Sequence, residues 1–195
     1  MSNVLIGIIG VILFIGLALA GALILGDDFK SASSASQGAS VMSQLKQATD
    51  AADMRKLKLG VAYTPSIQTD FLVPRFLKTP AVNTTSWAAA NRGTYMSQIE
   101  FNNNIYGDGG PEPAVAALYA HAVIGPVGDE KSRATCQSIS ETYGQATIPD
   151  FTGNNFPVPA APTGCIIAQT VSGTYYIAYQ RMERADMNVS TASGY

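Results

Sequence analysis

The stretch VLIGIIGVILFIGLALAGALIL, residues 4–25, decides the fold of this chain. It runs for 22 residues without a polar side chain, and no ionisable side chain occurs before Asp27. A helix of that length covers roughly 33 Å, about the thickness of the hydrocarbon core of a bilayer. Its large apolar residues favour insertion by about 5 to 8 kcal/mol. We therefore expect residues 4–25 to form an apolar helix that lies in a membrane or is buried among copies of itself.

A secretory signal peptide is the competing interpretation of this apolar start. No Lys or Arg precedes the run, the run is longer than the apolar part of a signal peptide, and helix-forming sequence follows it. The sequence therefore favours a helix that is retained in the mature protein. Ala18, Ala22 and Gly26, spaced by four, form a stripe of small residues suited to close helix contact. Simple tolerance of glycine in membrane helices is the alternative explanation.

The helical pattern continues beyond Asp28. Small apolar residues recur there every three or four positions among Ser, Gln, Lys and Asp: Ala32, Ala35, Ala39, Met42, Leu45, Ala48 and Ala52. This spacing predicts an amphipathic helix. No proline occurs before Pro65, so we expect one nearly continuous helix over residues 1–59 with Gly60 as its stop. Such a helix is roughly 85 Å long and must protrude from the head domain, residues 60–195.

The head has the pattern of an α+β domain. Alternation predicts a strand at 95–101, and β-rich runs at 165–171 and 174–181 predict a hairpin turning at Ser172-Gly173. A short helix is expected over 129–143, with Asp129 as N-cap, Gly144 as terminator and Ala134, Cys136 and Ile139 on its inward face. Residues 114–124 suit either a helix or a buried strand. Residues 148–163 carry four prolines and show neither pattern.

The two cysteines, Cys136 and Cys165, are 29 positions apart. An even pair in a domain with a thin core suggests a disulfide formed in an oxidising compartment, worth about 3 to 4 kcal/mol by loop entropy. Two unpaired buried cysteines of a cytosolic protein are the alternative. With the disulfide, the expected fold is α+β: a long protruding N-terminal α-helix and a C-terminal antiparallel β-sheet head with one short helix and a disulfide-closed loop.

This layout resembles the type IV pilins, and most closely their class b branch. The matching features are the apolar start to Leu25, the amphipathic continuation to Leu59, and a short helix whose cysteine pairs with one in a late strand. The resemblance implies leader removal and methylation at Met1. It also implies packing in a filament core by the apolar helix, through Leu5, Gly7, Gly10, Phe14, Gly16, Ala18, Gly21, Ala22 and Leu25. The chain has Leu5 where the family usually has glutamate, and Ala22 stands near the position of its helix-breaking proline.

Composition argues against several other classes of function. The net charge is −2 with 13% charged residues, which does not fit a strongly basic nucleic-acid binder, and one histidine with two cysteines is too few for a zinc site. No catalytic or nucleotide-binding motif occurs, and His121 in an apolar segment is more typical of a core residue than of a catalyst. We therefore expect no enzyme activity, cofactor or metal.

Two weaker patterns remain open at the level of sequence. The oxygen-rich turn around residues 102–112 could hold calcium, although a plain glycine-rich loop fits it better because EF-hand spacing is missing. Asn83-Thr84-Thr85 and Asn188-Val189-Ser190 satisfy the N-glycosylation rule. Neither pattern by itself identifies a site.

The function expected from the sequence is that of a structural subunit of an extracellular, type IV pilus-like filament on the cell surface. Its partners would be copies of itself in a helical homopolymer, preceded by the inner membrane and the pilus assembly machinery. The alternative is a single-span envelope protein or pseudopilin-like secretion component that does not form long filaments. An anchored enzyme is a third, weaker interpretation.

Overall fold

The computed structural model describes residues 2–60, 72–92, 98–102, 119–152, 159, 161–170 and 172–182, without the side chains of 2–10, 18–28 and 102. These residues form an α+β fold with three helices, five strands and one disulfide. The elements in chain order are α1 Ser2–Leu59, α2 Ser86–Ala90, β1 Ile99–Asn102, β2 Tyr119–Pro126, α3 Glu130–Thr142, β3 Asp150–Phe151, β4 Thr163–Thr170 and β5 Gly173–Arg181. No helix in the described part of the chain is both long enough and apolar enough to cross a bilayer.

The strands form one mixed sheet in the order β1-β2-β5-β4-β3. Every neighbouring pair is antiparallel except β3 and β4, which are parallel. The prediction of an antiparallel sheet with no strand between residues 148 and 163 was therefore wrong at this edge. β3 has only two residues, too few to show an alternating pattern, and the Ile167 amide extends its pairing by donating to the carbonyl of Pro149 at 2.8 Å.

One face of the sheet packs against α1 and α3. From α1, Val41, Leu45 and Ala48 enter this core completely buried. From α3 come Cys136 and Ile139, and from the sheet come Ile99, Phe101, Ala120, Ala122, Ile124, Cys165 and Ala178. Many of the sheet residues are alanines, which lets the helices approach the strands closely. The second half of α1 is thus an integral part of the head's main core.

The amphipathic stripe of α1 was predicted correctly from Met42 onward and incorrectly before it. Ala32, Ala35 and Ala39 are exposed, whereas Ser34 and Gly38 are buried. At Gly38 a Cβ atom would lie 3.0 Å from Ile139 Cγ1, so α1 and α3 meet where a larger side chain has no room. The close contact between helices, rather than hydropathy, decides which face of α1 turns inward here.

Helix α3 begins and ends as its sequence predicts. The Asp129 carboxylate accepts a hydrogen bond from the Ser132 amide at 2.8 Å, and Gly144 follows the C-cap with φ of +73°. The inward face differs from the prediction, because Ala134 is only half-buried whereas Ser132, Thr135 and Ser140 are buried. The Thr135 hydroxyl donates to the Lys131 carbonyl at 2.9 Å, which satisfies this polar group inside the core.

Strands β1, β2, β4 and β5 also refine the predictions. Residues 119–126 are a strand and not a helix, while 114–118 lie outside the described residues, as do 95–97 of the predicted first strand. The hairpin is confirmed, but Thr170 pairs with Gly173, so Gly173 belongs to β5 and not to the turn as predicted. Gly173 opens β5 with φ of +138°, a backbone conformation that strains any L side chain.

Candidate assembly surface on helix α1

The candidate functional site is the apolar segment, defined here as residues 11–17 of α1. Six large apolar side chains in this segment are each between 51 and 74% exposed: Val11, Ile12, Leu13, Phe14, Ile15 and Leu17. The seventh residue, Gly16, has no atom within 4 Å of the position a Cβ would take. Exposed contiguous apolar surface of this kind marks a binding surface in a soluble protein or contact with lipid.

The apolar segment is exposed on every side of the helix. Consecutive residues of an α-helix point about 100° apart, so seven residues make nearly two full turns. An amphipathic helix would leave one side polar or cover one side with its own domain. Neither is the case here, because all seven residues are apolar or glycine and all are exposed. A single flat contact cannot cover such a segment.

Only two residues of the predicted filament-core set have described side chains. Phe14 and Gly16 both lie in the apolar segment, and Phe14 is 74% exposed. Their packing in a filament core stays a prediction. The other members lie outside the described side chains: Leu5, Gly7, Gly10, Ala18, Gly21, Ala22 and Leu25. Met1, the predicted processing position, lies outside the described residues. The predicted stripe of Ala18, Ala22 and Gly26 therefore stays a prediction.

The second half of α1, from Ser34 onward, packs against the head. Ser34 is the first buried residue in the second half of α1. At a spacing of three or four residues it is followed by five more buried residues: Gly38, Val41, Leu45, Ala48 and Ala52. On the flank of α1, the Thr84 hydroxyl donates to the Ser40 hydroxyl at 2.9 Å, and Gln37 Nε2 donates to the Ser86 hydroxyl. Apolar burial on one side and polar contacts beside α2 thus hold α1 to the head.

The outward side of α1 from Phe29 to Ser43 has an unusual composition. Phe29 is 75% exposed, and after it come exposed residues with small side chains: Ala32, Ala35, Ser36, Ala39, Ser40 and Ser43. We call these six residues the Ala/Ser face. No charged residue occurs between Lys30 and Lys46, although exposed helix surfaces ordinarily carry Lys and Glu.

The disulfide lies in the main core, on the face of the sheet that packs against α1 and α3. Cys136 of α3 and Cys165 of β4 are joined, as the cysteine pair suggested, and both are fully buried. Gln145 joins α3 to β4 beside the disulfide. Its Oε1 accepts hydrogen bonds from the Cys165 amide at 3.0 Å and from the Ser140 hydroxyl at 2.9 Å. Its Nε2 donates to the Tyr179 hydroxyl at 3.1 Å. Nothing in the sequence signals this role, because a glutamine after a helix-terminating glycine looks like an ordinary loop residue.

The opposite face of the sheet carries a buried polar row. Glu100, His121 and Tyr179 are aligned on three neighbouring strands, because Glu100 pairs with His121 and His121 pairs with Tyr179. His121 is 7% exposed, and its Nε2 lies 3.5 Å from Glu100 Oε2. Burial lowers the pKa of His121 to about 4, and burial above all raises the pKa of Tyr179 to about 12. At neutral pH the imidazole is uncharged, so the contact with Glu100 is a long polar contact and not an ion pair.

The structure describes only parts of the oxygen-rich turn and of the two N-glycosylation motifs. Among the described residues, no group of three or more His, Cys, Asp or Glu side chains could hold a metal ion, and 103–112 of the oxygen-rich turn lie outside those residues. Asn83 of the first glycosylation motif is buried, and its Nδ2 donates to the Val123 carbonyl at 2.6 Å. A glycosyltransferase could not reach this amide in the folded head. Asn188 lies outside the described residues.

Comparisons with protein-family models, with curated proteins and with solved structures find no match to this chain. The resemblance to the type IV pilins therefore stays a prediction from the layout of the sequence.

Proposed function

We propose that this protein is a structural subunit of a type IV pilus-like filament that polymerises through its apolar N-terminal helix. The single observation that carries the proposal is the apolar segment, because its seven consecutive residues are exposed around the whole circumference of α1. Six large apolar side chains need an environment that encloses the helix. Two environments do this: a bilayer, and the centre of a bundle of like helices.

A simple dimer does not satisfy this requirement. One neighbouring helix packs its ridges into the grooves of one face and leaves the remaining faces in water. Several neighbours at once are needed to cover the segment, and a helical homopolymer with α1 at its centre supplies them. The membrane would hold the segment before assembly. Because both environments are apolar, moving the helix from one to the other need cost little net free energy.

The second half of α1 supports a protruding arrangement. The helix is fixed to the head from Ser34 onward, seventeen positions after Leu17 of the apolar segment. Seventeen residues of continuous helix correspond to about 25 Å, so a straight α1 would carry the segment clear of the head. The buried Cys136–Cys165 disulfide fits a head that faces an oxidising compartment outside the cell. The protein would then be membrane-anchored first and part of a surface filament after assembly.

The test compares two substitutions of the same kind on α1. Phe14→Lys places a charge in the apolar segment, whereas Leu57→Lys changes a side chain that is already 84% exposed near the far end of the helix. With the full-length chain expressed beside a type IV pilus assembly machinery, we expect filaments for wild type and Leu57→Lys and none for Phe14→Lys. Negative-stain microscopy of sheared material provides the measurement.

A head-integrity control accompanies the microscopy. The disulfide of all three proteins should remain intact on a non-reducing gel, since neither substitution touches the main core. Normal filaments from Phe14→Lys would contradict the proposal. A wild-type protein that stays in the membrane fraction and never forms filaments would instead support the single-span envelope component as its function.

A further inference from the structure

We draw no further inference here: the strongest candidate, the uncharged Ala/Ser face of α1 between Ala32 and Ser43, is a stripe of small residues, and nothing in the structure shows what covers it.

Discussion

Helix α1 uses apolar residues in two different ways along its length. In residues 11–17 they occupy every position around the helix and all are exposed, whereas in residues 41–52 they occupy one side and are buried against α3 and the sheet. The second pattern stabilises the fold of one chain. The first contributes nothing to that fold, because it makes no core within the head. The hydropathy of a single residue therefore does not tell whether that residue stabilises its own domain or is available for contact with other molecules. The distribution of apolar residues around the helix does tell these two cases apart.

The largest expected effect separates the two regions directly. Leu45→Ala removes a fully buried side chain from the main core and should lower the free energy of unfolding by about 2 to 5 kcal/mol. Phe14→Ala, its matched control, should change that free energy by less than about 0.5 kcal/mol because Phe14 does not contact the core. Denaturant unfolding of the full-length protein in detergent measures both. If Phe14→Ala lowers the free energy of unfolding as much as Leu45→Ala does, the apolar segment also stabilises the head, and the proposed difference between the two regions is wrong.

The disulfide should matter to the head and not to the apolar segment. Replacing both cysteines, as Cys136→Ala with Cys165→Ala, is expected to cost about 3 kcal/mol because the loop between them is freed in the unfolded chain. The reductant dithiothreitol should lower the midpoint of thermal unfolding for wild type and leave that of the double variant unchanged. If the reductant changes the midpoint of thermal unfolding of neither protein, the disulfide does not stabilise the head.

Acid should weaken the head through His121, on the sheet face away from α1. The folded-state pKa of about 4 lies below the ordinary 6.5, so the unfolded chain binds a proton that the folded chain excludes. The contribution of His121 to the free energy of unfolding therefore keeps its full value above pH 6.5. As the pH falls toward 4, it decreases by about 3 kcal/mol in total. Unfolding midpoints measured between pH 7 and 4 test this. His121→Phe should show a shallower decline, and an equal decline would assign the acid sensitivity to other groups.

The smallest expected effect concerns two glycines of α1. A side chain at Gly38 has to displace Ile139, so Gly38→Val should lower the free energy of unfolding by about 1 to 3 kcal/mol. Gly16→Val introduces the same residue where no atom lies within 4 Å and should leave head stability within about 0.5 kcal/mol. Equal losses would show that the β-branched residue, and not the contact with α3, causes the effect.

The elements with strong local signals could be predicted from the sequence. The ends of α3 follow from Asp129 and Gly144, and the β4–β5 hairpin follows from two β-rich runs with a short connection. The pairing of Cys136 with Cys165 was suggested by their number alone. The candidate site lies in a run that the sequence itself shows to be apolar, since Phe14 and Gly16 belong to residues 4–25. For α3 and for the hairpin, the information lies within a few neighbouring residues.

Other features depend on contacts between distant parts of the chain. The inward turn of Gly38 depends on Ile139, the parallel pairing of the two-residue β3 depends on β4, and the role of Gln145 depends on Cys165 and Tyr179. A short segment carries no record of such partners. Periodicity also left residues 114–124 undecided, because a segment buried on both faces shows neither helical nor strand alternation.

The sequence by itself determined that an apolar helical run precedes an α+β head, because composition and spacing along a chain fix local structure and its affinity for water. Only the tertiary structure decided which side of α1 enters the core, which strands are neighbours, and that His121, expected in the core, lies beside Glu100 with a lowered pKa. Those outcomes arise from packing and from the loss of solvent around buried groups, which exist only after the distant parts of the chain have come together.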